Sequence, residues 1–327
     1  MININKFFCK KPVKEIKQIL KNKKLENVIL INKIESELIK RRGFIFKMPK
    51  EGESVILMWS GGLDTTIILD ILLRIYKLQV YPLFVRRGQI RVIQEEESVN
   101  FFTKYYYRKY PRLFKFPQKI TTFIPPLPIR WTITKFGSVR INEKMEALGI
   151  PMYASIMTDI AVQYAYYIFL NKAILPTTIF FGYVADDGVH TAYETLTSLR
   201  INNFKTIYLT NNYNFQISAL PIEKELGFHF GKEELIKYAS YFKIPIEKTY
   251  SCIKYNTIHC GICIYCKSRQ RCFKNAGVKD KTKYLNKYRK TFFLLDRILL
   301  FLKAIKFIIK IFYEQSFYYF YFLKRRW

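Results

Sequence analysis

Val55-Ile56-Leu57-Met58-Trp59-Ser60-Gly61-Gly62-Leu63-Asp64-Thr65-Thr66 decides the fold. The apolar run with a β-branched start reads as a buried strand. It breaks at Ser60-Gly61-Gly62 and gives way to an apolar helical pattern over residues 64–76. Glycines at the break let the backbone turn sharply and approach a ligand with no Cβ in the way. The helix that follows offers its free N–H groups to an anion in the turn. Ser60, Thr65 and Thr66 add hydroxyl donors, and Asp64 is placed to help hold a magnesium ion. Trp59 and Leu63 complete the stretch expected to bind a nucleotide. No Lys follows the glycines, so this is not the G-x-x-x-x-G-K-[ST] loop. A plain strand–turn–helix of small residues is the competing reading, and the strand before and helix after weigh against it.

Working outward, apolar runs at 54–59, 79–85, 119–124, 177–183 and 216–220 read as strands alternating with helical patterns. That alternation predicts an α/β fold with a parallel sheet. Ligands in such sheets bind at the carboxyl ends of strands, where the Ser60 loop lies. Four parts are expected: an N-terminal extension (1–52), an ATP-binding α/β domain (53–250), a cysteine subdomain (251–285) and a basic apolar helical tail (286–327). Within the first part, residues 16–20 and 34–39 read as short helices or strands at the sheet edge. Residues 125–150, with Pro125, Pro126 and Pro128, read as a loop over the site.

Four of the six cysteines, Cys252, Cys260, Cys263 and Cys266, follow the spacing C-x7-C-x2-C-x2-C. Such knuckles suit tetrahedral thiolate coordination of zinc, and thiolates also hold iron–sulfur clusters. Residues 1–24 are Lys-rich without a continuous apolar core, so no secretory leader and a cytoplasmic location are expected. A reducing compartment favours metal over disulfides. Gly261 fits the tight turn of a knuckle. His259 is the competing ligand, but it abuts Cys260. Cys272 reads as core and Cys9 as a bystander.

Together these features resemble 7-cyano-7-deazaguanine synthase, the queuosine-pathway QueC family, with its pyrophosphatase-type S-G-G-x-D-[ST] loop. Thr65 stands where Ser is commoner. Gly88-Gln89 after the second strand matches the family's Gly-Gln pair, and Phe180-Phe181-Gly182-Tyr183-Val184-Ala185-Asp186-Asp187 matches its third strand and following acid. Cys260-Gly261-Ile262-Cys263-Ile264-Tyr265-Cys266-Lys267-Ser268-Arg269 is similar to its zinc region, and residues 276–284 to its closing segment. The likeness runs from about residue 53 to 285. Two segments depart from it. Arg86-Arg87 stands where the family has Asp-Tyr, and Pro151-Met152-Tyr153-Ala154-Ser155 replaces a Pro-Gly-Arg-Asn-type turn.

The resemblance implies an adenine-nucleotide α-hydrolase-like domain and an ATP-dependent ligase with ATP, Mg2+ and Zn2+. A substrate carboxylate, 7-carboxy-7-deazaguanine or a related acceptor, attacks the α-phosphate and releases pyrophosphate. Ammonia displaces AMP, and a second activation dehydrates the amide to a nitrile. Asp64 and Ser60 are the expected catalytic residues. Gln89, Asp187 and Arg269 are candidate substrate contacts, with helix capping as the alternative for Gln89 and Asp187. Zinc is expected to be structural and to fix Arg269 against the site. Two rivals stand beside this reading. One is a retargeted relative serving as a subunit of a prokaryotic antiviral system and acting on protein or nucleic acid. The other is tRNA thiolation, which needs a reactive thiol that these cysteines, committed to metal, do not supply.

Net charge is +30, from 55 basic and 25 acidic residues in a 327-residue chain. A field of that sign favours anionic partners: ATP, nucleic acid or an acidic membrane surface. Phe101-Phe102-Thr103-Lys104-Tyr105-Tyr106-Tyr107-Arg108-Lys109-Tyr110 reads either as a base-stacking strip or as a helix burying its aromatics. In the tail, Asp296, Lys303, Lys306 and Lys310 fall on one helical face of an otherwise apolar stretch. Three lysines argue against a spanning helix. The expected resting places are an acidic lipid surface, a partner subunit, or the enzyme's own core; a homo-oligomer is a separate expectation.

Overall fold

The computed structural model describes residues 4–89, 91–126, 152–189, 191–254, 257–287 and 290–324. Five parallel strands form one sheet in the order β3-β2-β1-β4-β5: β1 (Ser54–Met58), β2 (Gln79–Arg86), β3 (Gln118–Thr121), β4 (Thr178–Phe180) and β5 (Gln216–Ser218). Val55 stands beside Val80 on one side and Thr178 on the other. Side chains along a strand alternate between faces. Val55 and Leu57, with Val80 and Phe84, therefore enter one core, while Ile56 and Met58, with Tyr81, Leu83 and Val85, enter the other. A central strand buried on both faces needs the unbroken apolar run that the sequence shows. All five expected strands are present. The last three are shorter than read; Phe181 and Tyr183 beyond β4, and Ala219 and Leu220 beyond β5, are buried in the two cores without belonging to the ladder.

On the first face lie α3 (Leu63–Arg74), α4 (Val92–Lys109) and α7 (Lys232–Tyr241). On the second lie α5 (Tyr153–Lys172) and α6 (Leu196–Thr210). α3 buries almost every side chain, being held between the sheet and α7. The aromatic strip resolves in favour of packing. Phe102 and Tyr106 are fully buried on α4, and the Tyr106 hydroxyl donates to the Thr66 carbonyl at 3.0 Å. α8 (Ile264–Asn275) follows the cysteine knuckle, and α9 (Lys290–Lys324) closes the described chain.

The two N-terminal segments left open between helix and strand are helices, α1 (Val13–Lys21) and α2 (Val28–Arg42). α2 lies on α6 beside β5, where Ile34 and Leu38 join the second core. A buried ion network fastens it. Arg200 donates to Glu35 at 2.9 Å and to both oxygens of Glu223 at 2.9 and 2.7 Å, and Lys224 pairs with Glu35 at 2.8 Å. Charges this deep are tolerated only when each is paired. The expected loop at 125–150 falls almost wholly outside the described residues. No described helix is long and apolar enough to cross a membrane.

Candidate active site and metal centre

The Ser60 loop sits at the carboxyl end of β1, between its neighbours β2 and β4. Gly61 has φ +72°, and a Cβ there would come within 2.6 Å of the Glu95 carbonyl on α4. Its lack of a side chain therefore serves the loop's approach to α4 as well as its turn. Gly182, just past β4, has a similar task, since a Cβ would meet Thr65 Cγ2 at 2.2 Å. The Gly61 carbonyl is held from two sides, by the Ser98 hydroxyl at 2.7 Å and the Tyr250 N–H at 3.2 Å. Gly62 is the N-cap of α3 and brings no capping side chain. The first N–H groups of α3 thus remain available to an anion.

Residues 59–66 divide into two sets. Trp59 is buried and its Nε1 donates to Thr66 Oγ1 at 3.1 Å; Leu63 is buried in the first core. These three side chains shape the loop from beneath. Ser60 and Thr65 stay at the open side, with hydroxyls 3.2 Å apart. Asp64 is the unusual member. Its Oδ1 is sealed from solvent without a hydrogen-bond partner, and its Oδ2 lies 3.4 Å from Lys232 Nζ. Burial pushes its carboxyl up to about 6, against the pull of Lys232.

Asp187 comes to the same place from beyond β4. Lys232, the first residue of α7, donates to its Oδ1 at 2.5 Å, so one ammonium bridges Asp64 and Asp187. The capping role falls to the neighbour: Asp186 Oδ2 accepts from the Lys232 N–H at 3.3 Å. Glu194 joins the cluster electrostatically, and burial, then the charge of Asp187, pushes it up to about 7. Lys232 and Glu194 were not singled out in the sequence. A Lys opening a helix looks like a solvated residue, and its partners lie far away along the chain.

The other two candidate contacts serve the fold. Gln89 donates to Glu95 at 2.7 Å and accepts from the Arg87 N–H at 2.8 Å, so its amide is engaged in the turn between β2 and α4. Arg269 is buried on α8. It donates to Thr249 and Thr282, each at 3.0 Å, and to the Ile246 carbonyl at 2.7 Å. It pins residues 246–251, and with them the Tyr250 N–H that holds Gly61.

Cys252, Cys260, Cys263 and Cys266 are buried, with all four sulfurs within 4.8 Å of one another. Among the described residues this is the one group of three or more His, Cys, Asp or Glu that could share an ion. Cys252–Cys263 and Cys260–Cys266 sulfurs are 3.8 Å apart. Tetrahedral ligands at about 2.3 Å from a metal stand about 3.8 Å from each other, so the set fits a four-thiolate ion. N–H groups of Lys254, Cys260, Cys263 and Cys266 approach the sulfurs at 3.3–3.4 Å, the screening that anionic sulfur needs. Gly261 makes the turn with φ +80°, where a Cβ would strike Asn286 at 2.0 Å. His259 is no ligand; its Nε2 faces Ser251 Oγ at 3.2 Å and its ring packs between Tyr250 and Tyr284. Cys272 is buried in the first core and Cys9 is exposed.

With this geometry in place, comparison with known proteins is decisive on family. Residues 54–277 match the sequence model of queuosine biosynthesis protein QueC. The chain belongs to the QueC family. It is similar to 7-cyano-7-deazaguanine synthase of Prochlorococcus marinus, 26% identical over 71% of this chain and 99% of the relative. The Methanocaldococcus jannaschii enzyme of that name is 31% identical over 46% of this chain and 63% of the relative. For Campylobacter fetus the figures are 33%, 32% and 45%. The chain thus spans about half to two thirds of the length of these last two relatives. Among solved structures, the U34-tRNA thiolase NcsA from Methanococcus maripaludis aligns over 77% of this chain and 76% of that one at 12% identity. Its TM-score is 0.34, a level that carries no argument.

The QueC match begins after α2 and ends before α9, so both lie outside it. The two departures inside it have partners. Arg86 is buried, forks onto Glu96 at 2.7 and 3.0 Å, and reaches Glu314 of α9 at 2.7 Å. Burial opposes the charge on Glu96, yet Arg86 and Lys310 hold it down to about 2. Arg87 lies over the ring of Tyr153, 5.1 Å from its centroid.

The acid cluster sets a pH dependence. Ionised Asp64 is the form that complements a cation, and its raised value makes that form scarce below about pH 6. ATP turnover, read as kcat/KM, is expected to fall about tenfold per pH unit below that point. A flat profile from pH 5 to 7 would contradict it. Stability is the poorer readout. A carboxyl raised in the native state loses stability as pH rises from about 4 to about 6. His229, buried and pushed down to about 4, gains it over much of the same range.

Proposed function

We propose that the chain is an ATP-dependent ligase of the 7-cyano-7-deazaguanine synthase type. One observation carries the reading. An uncapped helix start, two glycines and a buried, unpartnered carboxylate oxygen converge at the end of a central parallel strand. Phosphates rest on residues 60–66, with Ser60, Thr65 and the first N–H groups of α3 as donors. Asp64 would hold magnesium, which supplies charge neutralisation for the departing pyrophosphate when bound. Lys232 lies within reach to offset further charge. The acceptor carboxylate attacks the α-phosphate; the bond to the β-phosphate breaks and pyrophosphate leaves. Ammonia then displaces AMP to give the amide. The amide oxygen attacks the α-phosphate of a second ATP and a second pyrophosphate leaves; cleavage of the C–O bond then releases AMP, and with loss of the nitrogen's two protons leaves the nitrile. In the cysteine site zinc, closed by four thiolates, would fix α8 and so Arg269.

The altered segments support a retained acceptor site. Where the family places Tyr on the strand and Arg in the turn, this chain places Arg87 and Tyr153 in contact. Cation and ring have exchanged elements and still meet. The test is pyrophosphate release from ATP with magnesium, ammonium and 7-carboxy-7-deazaguanine. The reading expects release that depends on both the base and ammonium. Release indifferent to the base would overturn the acceptor assignment.

A further inference from the structure

The C-terminal helix is mounted with its polar side inward. Asp296 accepts from the Thr257 N–H at 3.1 Å, Lys303 pairs with Glu97 at 2.7 Å, Lys310 pairs with Glu96, and Glu314 with Arg86 at 2.7 Å. Leu300 is buried among them. At 3.6 residues per turn these positions share one side of α9. Ile298, Phe301, Leu302, Ile305, Ile309 and Phe312 fall on the opposite side and are 41–68% exposed. Among the described residues nothing covers them. Arg297 and Lys306 stand exposed at the two margins of this face. The expectation that Lys306 shares the polar face with the other three is corrected; it lies at the rim. A surface helix ordinarily turns its apolar stripe to the core, and this one reverses that order.

We propose that this face seats α9 on the surface of a bilayer carrying anionic headgroups, with the helix in the plane of the interface. A contiguous apolar patch of this kind marks an interaction site. Net charge of +30 narrows the choice of occupant. Nucleic acid suits the charge but offers nothing to an apolar face. A second copy suits the apolar face but brings another +30. An anionic bilayer interface offers both, acyl chains to the apolar residues and headgroups to Arg297 and Lys306. Residues 296–314 would present about 28 Å of helix to it. No described helix is long and apolar enough to cross, so contact is along the surface. The inward ion pairs hold the catalytic body against the other side of α9, which makes the contact rigid.

The experiment is co-sedimentation of the full chain with vesicles of phosphatidylcholine alone or mixed with phosphatidylglycerol. Binding is expected to the mixed vesicles and to weaken with salt. The triple variant Phe301→Glu, Ile305→Glu, Phe312→Glu should bind at least about tenfold more weakly, with unchanged circular dichroism and metal content. Leucine at the same three positions should keep binding, which guards against misfolding of the charged variant. Absence of wild-type binding overturns the proposal, and so does undiminished binding by the glutamate variant. Light scattering that shows a dimer in the wild type and a monomer in the glutamate variant would also overturn it, assigning the face to a second copy.

Discussion

Asp64→Asn is expected to lower pyrophosphate release from ATP by at least about a hundredfold while leaving the fold and the metal content unchanged. The substitution keeps shape and removes charge. Asp64 Oδ1 has no partner inside the protein, so the structure gives that oxygen no packing or hydrogen-bonding duty to lose. Lys232 stays paired through Asp187 at 2.5 Å. What disappears is the anionic oxygen beneath the helix start, the group we propose binds a cation against the phosphates. Relieving a buried charge that burial itself disfavours should, if anything, stabilise the native state. Turnover within a few-fold of wild type would refute the assignment of this loop.

Cys263→Ser should lose the metal and more than about 4 kcal/mol of stability, measured by metal analysis and denaturant unfolding. The substitution is informative because of what it keeps. Cys263 is the N-cap of α8, accepting from the Cys266 N–H, and Ser is a better cap than Cys. The loss therefore reports on the ion and not on the helix start. Its effect should travel. α8 carries Arg269, Arg269 pins Thr249 and the Ile246 carbonyl, and the Tyr250 N–H holds the Gly61 carbonyl of the Ser60 loop. ATP turnover should accordingly fall in the variant and on chelation. A stable, metal-free, active Cys263→Ser protein would remove the structural role.

The parts legible in the sequence share one property: their signal is local. β1, the turn and α3 are neighbours in the chain, so composition alone displays strand, break and helix. The four cysteines declare themselves by spacing, and their sulfurs do converge. The N-terminal segments are undecided in the sequence because short apolar runs broken by polar residues suit either helix or strand; tertiary burial of Ile16, Leu20, Ile34 and Leu38 selects helix. Lys232 became visible only when folding placed it against Asp64 and Asp187. Arg86 looked like a lost acidic residue, yet its partners are Glu96 and Glu314, the latter 228 residues away. Gln89 shows its motif in the sequence, while the partners of its amide, Glu95 and the Arg87 N–H, are visible only in the fold. In the tail, the periodicity located a polar face but could not say that this face, and not the apolar one, meets the body.

The measurement that tests the central claim most directly is the fate of the base itself. Purified protein with ATP, magnesium, ammonium and 7-carboxy-7-deazaguanine, followed by mass spectrometry, should show the acid giving way first to the amide and then to the nitrile, with AMP and pyrophosphate formed at each activation. An unchanged base in the presence of active ATP cleavage would contradict the account and assign the phosphate loop to a different acceptor.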